Sequence, residues 1–147
     1  MMKYLLRGWI VMPGAPIRLA EHHRHCDALF AAAGEAASAG DWGVLVARVA
    51  VLREALLAHF RHEEERIFPL YEQTSGEEGA TEALCAQHDD MRAALWSLAT
   101  FTAEADSRLY CSELAVLRSA FEAHAADEER RMYPLFEQML GANPPRA

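Results

Sequence analysis

Two stretches of this chain present the same reactive side chains in the same order: HFRHEEERIFPLYEQ over residues 59–73 and HAADEERRMYPLFEQ over residues 124–138. Eight of their fifteen positions are identical, and Ile67/Met132, Phe68/Tyr133 and Tyr71/Phe136 exchange like for like. Each stretch opens on a histidine followed four residues later by a glutamate: His59 with Glu63, and His124 with Glu128. On a helix that spacing stacks an imidazole and a carboxylate on one face, a turn apart. The offset of 65 (124 minus 59) also holds upstream, where LAEHHRHCDALF from Leu19 falls on LCAQHDDMRAAL from Leu84 and aligns His23 with His88. Each half therefore offers one lone histidine and one His-x-x-x-Glu pair. The offset selects His23, with His22 as its alternative, and Glu128, with Glu129 as its alternative.

These residues lie on stripes that are otherwise apolar. Leu52, Leu56, His59, Glu63, Ile67 and Leu70 follow the spacing of three and four that keeps side chains on one helix face, as do Leu117, Phe121, His124, Glu128, Met132 and Leu135. Leu19, His23, Cys26 and Phe30 form a third stripe, matched by Leu84, His88, Met91 and Leu95. A carboxylate on a core-facing stripe is costly unless it is paired. Two inward carboxylates and four inward histidines have a common explanation in a metal centre. Imidazole with carboxylate suits iron, manganese or zinc, and two carboxylates able to bridge accommodate two metals better than one. Glu64, Glu65 and Glu129 are expected on a wet face with Arg66, Arg130 and Arg131, and His62 in solvent.

Four helices must position this set. The first is expected over Ile17–Ser38, ended by Ala39-Gly40, with Asp41 as the next N-cap. The second runs from about Trp42 to Gln73, stopped by the turn-forming residues 74–79. The third fits Ala80–Ala105; Ser107 caps a fourth that reaches Leu140 and closes at Gly141. Pro69 and Pro134 fall at equivalent places and are each expected to kink their helix. Short connections make the fold class all-α, an antiparallel up-down-up-down four-helix bundle over residues 17–140, with an N-terminal arm (1–16) and a C-terminal tail (141–147).

Composition narrows the partners. With 147 residues and 52% hydrophobic content, the chain suits one domain with a real core. A net charge of -8 without any Lys/Arg-rich run argues against a nucleic-acid partner. Cys26, Cys85 and Cys111 form an odd set without paired spacing, which fits a reducing, cytoplasmic setting. In MMKYLLRGWIVMPGAP, Arg7 breaks the apolar run, so these residues read as an ordered arm or a loose leader, and no segment is long enough to span a membrane.

Ferritin-like di-iron bundles place Glu three residues before His. Here the residues three before His23, His59, His88 and His124 are Ala20, Leu56, Cys85 and Phe121. The order of a lone His, His-x-x-x-Glu, a lone His and His-x-x-x-Glu resembles instead the hemerythrin-like, or HHE cation-binding, family, over roughly residues 17–140. The resemblance implies two iron ions, a non-haem di-iron centre with an oxo or hydroxo bridge. In it His23, His59, His88 and His124 would be terminal ligands, and Glu63 and Glu128 would bridge. It implies a small diatomic ligand (O₂ or NO) or peroxide as partner, in sensing, scavenging or stress response, with a monomer or homodimer expected. Peroxidase- or oxidase-like turnover and iron storage are the alternatives. Two departures stand out. Oxygen-carrying relatives resemble this chain but have a second histidine on the third helix where this chain has Arg92, which argues against reversible oxygen carriage. They also place the last carboxylate five residues after its histidine, at the position of Glu129.

Overall fold

The computed structural model describes the backbone of residues 15–142 and the side chains of residues 19–139. The described backbone folds into α1 (Ala15–Ala39), α2 (Trp42–His62), a π-helical turn (Glu63–Ile67), α3 (Phe68–Ser75), α4 (Glu82–Thr100) and α5 (Ser107–Ala142). Because α2, the π-turn and α3 follow one another without a break, the elements form four rods. The rod of α2 packs on α1 and α4, and α5 packs on α1 and α4, closing a ring. Consecutive rods joined by short turns run antiparallel, which is the expected bundle. No helix among the described residues is long and apolar enough to cross a membrane.

Local chemistry sets the ends of the rods. Gly40 takes φ +68°, and Gly40 N–H donates to the Ala37 carbonyl while Asp41 N–H donates to that of Ala36. This pair of bonds satisfies the last carbonyls of α1 in a Schellman arrangement. Asp41 then caps α2 as expected, its Oδ1 accepting from Val44 N–H at 3.2 Å. Gly76 at φ +73° ends α3 by donating to the Glu72 carbonyl.

Several expected boundaries move. Helix α1 begins at Ala15, inside the expected arm, and α5 continues through Gly141 to Ala142, so Gly141 does not close it. Residues 1–14 and 143–147 of the arm and tail lie outside the described residues. The third rod is shorter than Ala80–Ala105. Glu72 Oε1 holds the Thr81 N–H and hydroxyl in the turn before α4, and Phe101 turns extended (φ −94°, ψ 147°) after it. Ser107 is the first residue of α5 rather than its cap. The carbonyl of Asp106 accepts from Tyr110 N–H, and the Asp106 carboxylate accepts from Thr102 N–H at 3.0 Å.

The two prolines also part ways. Pro69 has no N–H to give, and its ring crowds the carbonyl four residues back. The chain answers with the π-turn, where Phe68 N–H reaches back five residues to the Glu63 carbonyl. Pro134 sits inside α5, whose helical run is not interrupted.

Side-chain burial follows the stripes, with one exchange: Phe136 is buried and Leu135 is half-buried. The core has two apolar clusters. One is built around Phe30, Leu45, Leu52, Leu56, Leu95, Leu117 and Phe121, and the other around Ile67, Phe68, Leu84, Met132 and Phe136. The histidines and glutamates form a polar layer between them.

Candidate metal centre

All six predicted residues meet in that layer. His23, His59, His88 and His124 are each 5% exposed or less, and Glu63 and Glu128 are 0% exposed. Each comes from a different turn of the bundle: His23 from α1, His59 from α2, Glu63 from the π-turn, His88 from α4, and His124 with Glu128 from α5. His22, the alternative to His23, is exposed and is not among the converging donors.

The carboxylates divide their oxygens between two sets of imidazoles. Glu63 Oε1 faces His59 Nε2, with which it is in close contact, and His23 Nε2 at 3.8 Å; Glu128 Oε1 lies 3.4 Å from His23 Nε2. The opposite oxygens face the other pair. Glu63 Oε2 is 3.4 Å from His88 Nε2 and 3.7 Å from His124 Nε2, and Glu128 Oε2 is 3.1 Å from His124 Nε2. Two quartets able to hold a cation result, His23–His59–Glu63–Glu128 and Glu63–His88–His124–Glu128, with donor atoms within 4.8 Å of one another. They share both carboxylates and exchange under the 65-residue offset.

Protons report the same crowding. Burial lowers the His23 imidazole, but the negative charge of the neighbouring Glu128 and Glu63 outweighs it and pushes the group up to about 10. His124 is pushed up to about 9 by Glu128 and Glu63 against the same burial. Burial works against ionised Glu63, yet the close approach of Glu128, His124, His23 and His59 holds it well below the usual carboxylate range. Glu128 goes the other way: burial, then the neighbouring Glu63 carboxylate, raises it. Two buried carboxylates at this separation resist carrying two negative charges unless cations join them. Among the described residues, all four oxygens of the pair and Nε2 of His23 and His59 lack a hydrogen-bond partner. Converging buried donor atoms with no partner, on imidazole and carboxylate, fit a divalent cation.

A second ring of residues holds the imidazoles from behind, and here the structure corrects the expected wet face. Glu64 and Glu129 turn inward across the halves. His88 Nδ1 donates to Glu64 Oε1 at 2.8 Å, and His23 Nδ1 donates to Glu129 Oε1 at 2.8 Å. These two bonds are counterparts under the offset, because His23 falls on His88 and Glu64 on Glu129. His124 Nδ1 is held by Gln87 Oε1 at 2.6 Å. Glu129, which the oxygen carriers would use as a ligand, thus stands behind His23 while Glu128 faces the carboxylate partner. Arg92, at the place of the missing fifth histidine, makes a two-pronged contact with Glu64 (2.9 and 3.0 Å) and lies 5.6 Å over the Phe60 ring. Phe60 and Phe68 flank His88, with ring centroids at 4.3 and 5.4 Å. His62 is half-buried rather than in solvent, its ring 5.9 Å from that of His22. One signal could have found Glu64 and Glu129: both stretches repeat a Glu-Glu pair, and the second glutamate is as invariant between the halves as the first.

Four antiparallel rods closing on a carboxylate–histidine layer define a cation-binding helical bundle. The hemerythrin HHE cation-binding domain model matches residues 17–139, and the chain belongs to that family. No curated protein and no solved structure matches the chain.

Proposed function

We propose that this protein is a non-haem di-iron protein that binds O₂, NO or peroxide at a carboxylate-bridged centre and serves sensing, scavenging or stress response in the cytoplasm. The observation that carries the reading is the division of Glu63 and Glu128, one oxygen of each toward His23 and His59 and the other toward His88 and His124. Such a carboxylate pair serves two cations better than one. His23 and His59 would hold the first iron, His88 and His124 the second, and Glu63 and Glu128 would bridge. Iron in an imidazole–carboxylate set supplies electrons to a small oxidising ligand.

The chain's own residues prepare for that ligand. The two apolar clusters exclude bulk water from the layer, and Glu64, Glu129 and Gln87 fix three of the imidazole rings. A pocket of about 510 Å³ between α4 and α5, walled by Met91, Ala94, Leu117 and Ala120, reaches His124. Its mostly apolar wall suits a small uncharged molecule. Arg92 stands at the place of the fifth histidine and pairs with Glu64, and a guanidinium has no lone pair to give a metal, which argues against reversible oxygen carriage. The free thiols of Cys26, Cys85 and Cys111 agree with a reducing compartment.

The test is metal content and the near-UV/visible spectrum after anaerobic iron loading, before and after O₂ or NO. About two irons per chain are expected, with ligand-dependent absorption that disappears in His59→Ala. A protein that takes up no iron refutes the reading. Catalytic turnover of peroxide that vanishes in Glu63→Ala would replace binding by the enzymatic alternative.

A further inference from the structure

Three of the four inward imidazoles are anchored on the side away from the carboxylates: His23 by Glu129, His88 by Glu64 and His124 by Gln87. His59 is the exception. It is 5% exposed, yet among the described residues its Nδ1 has no hydrogen-bond partner. If Nε2 faces a cation, the ring proton sits on Nδ1, and a buried N–H with no acceptor is unfavourable. Metal-binding histidines are normally held through this second nitrogen.

The internal repeat says which residue belongs there. Gln87, which serves His124, falls on His22 (87 minus 65), just as His124 falls on His59. The surroundings correspond as well. Gln87, Asp90 and Asp127 border the 510 Å³ pocket that reaches His124, and their counterparts His22, His25 and His62 border a pocket of about 190 Å³ that reaches His59. The His22 ring lies 5.9 Å from the His59 ring, edge to face at 74°. Its side chain is exposed, and exposed rings reorient readily. His62 does not inherit the role, because its counterpart Asp127 binds Arg130 and Arg131 rather than His124.

We propose that His22 is the positioning residue of His59, a ring nitrogen of His22 accepting the hydrogen bond from His59 Nδ1–H as Gln87 does from His124. The role rests on the two-cation reading above. It makes the His23–His59 quartet dependent on an exposed imidazole, where the His88–His124 quartet depends on an amide and an arginine-clamped carboxylate.

Zinc is a suitable probe, being diamagnetic and at home with imidazole and carboxylate. The full chain, His22→Ala, His22→Gln and Gln87→Ala are titrated with Zn(II), and the imidazole N–H signals of the loaded proteins are followed by ¹H–¹⁵N NMR. The unsubstituted chain is expected to bind about two zinc ions, with a His59 Nδ1–H signal protected from exchange. His22→Ala should lose that signal and weaken one of the two binding steps by about tenfold or more. His22→Gln should restore both, and Gln87→Ala should act in the same way on the His124 signal and the other step. Thermal melts check that each variant is folded. The proposal is overturned if His22→Ala keeps the signal and both affinities, or if His22→Gln behaves like His22→Ala. An unsubstituted chain that binds no zinc overturns the metal centre itself and this role with it, and that result is visible before any substitution is made.

Discussion

The Glu64–Arg92 pair offers the sharpest test of how the imidazoles are held. Glu64 Oε1 accepts from His88 Nδ1 at 2.8 Å and from Arg92 at 2.9 Å, and its Oε2 accepts from Arg92 at 3.0 Å. Glu64→Ala removes the only anchor of His88 described behind the ring and leaves Arg92 with Asp89 as its described hydrogen-bond partner. Loss of such an outer partner costs about 10- to 100-fold in metal affinity, or roughly 1.4–2.8 kcal/mol. Arg92→Leu leaves the His88–Glu64 bond in place, so its loss should stay at or below about tenfold. Both side chains are 29% exposed, so the ion pair itself adds only about 1 kcal/mol to folding, and neither variant should unfold the protein. Competition titration with a chelator at fixed pH resolves the two binding steps. One step should weaken, more in Glu64→Ala than in Arg92→Leu, while the other holds. Unchanged affinity in Glu64→Ala, or a larger loss in Arg92→Leu, would refute the assignment of Glu64 as the anchor and Arg92 as its support.

Four further outcomes follow from the structure. His23 and His124, pushed up to about 10 and about 9, both carry an extra proton at pH 7 in the metal-free protein; cation binding must displace it from each, so a pH-stat should record about two protons released in all, and the affinity of each of the two steps should rise about tenfold per pH unit up to pH 9. Because both folded values lie above the ordinary imidazole value of 6.5, their stabilisation of the metal-free fold is full below that pH and lost as pH rises through 9 and 10, so the denaturation midpoint should fall over that range. Phe60→Ala empties a fully buried site whose ring stacks 4.3 Å from His88 and should cost about 3–5 kcal/mol by urea denaturation; a loss under about 1 kcal/mol contradicts the packing described. Gly76→Ala meets nothing within 4 Å, so its cost is backbone strain at φ +73° alone, about 1–2 kcal/mol, read as a lower melting temperature.

Much of this was legible in the sequence because helices repeat. A stripe such as Leu52, Leu56, His59, Glu63, Ile67 names one face of one helix, and every member of it is buried. The 65-residue offset then relates the faces and singles out Glu128 over Glu129 and His23 over His22. Side chains one position round from the stripe were not legible. Periodicity places Glu64 and Glu129 beside the buried face, toward solvent, and only the packing of α4 against the α2 rod and of α1 against α5 turns them onto His88 and His23. Only the family resemblance marks Arg92 as the place of an absent ligand; its pairing with Glu64 is a contact between rods, which no single-helix pattern contains. The short α4 was hidden for a related reason. Glu72, nine residues before Thr81, sets its start, so the boundary depends on a contact outside the helix.

The repeat makes two like quartets, and the differences between the halves are what could make them unlike. The position of Arg92 in the second half is held in the first by Asp27 (92 minus 65), a half-buried carboxylate that burial, then Glu122, pushes up. Glu64 therefore has a guanidinium to fix it behind His88, whereas Glu129 behind His23 has another acid nearby and a side chain 36% exposed. A carboxylate fixed by a guanidinium is the firmer anchor for an imidazole N–H, and a firmly held imidazole is the better donor to a metal. Gln87 against His22 points the same way, since the amide already holds His124 and the imidazole has still to turn toward His59. Both differences would make His88 and His124 the firmer ligands of the proposed centre. In a stepwise titration that quartet should fill first, and the His23–His59 quartet should be the position that responds to the state of its exposed neighbours. A pair of equal sites would need neither Arg92 nor Gln87 to be confined to one half.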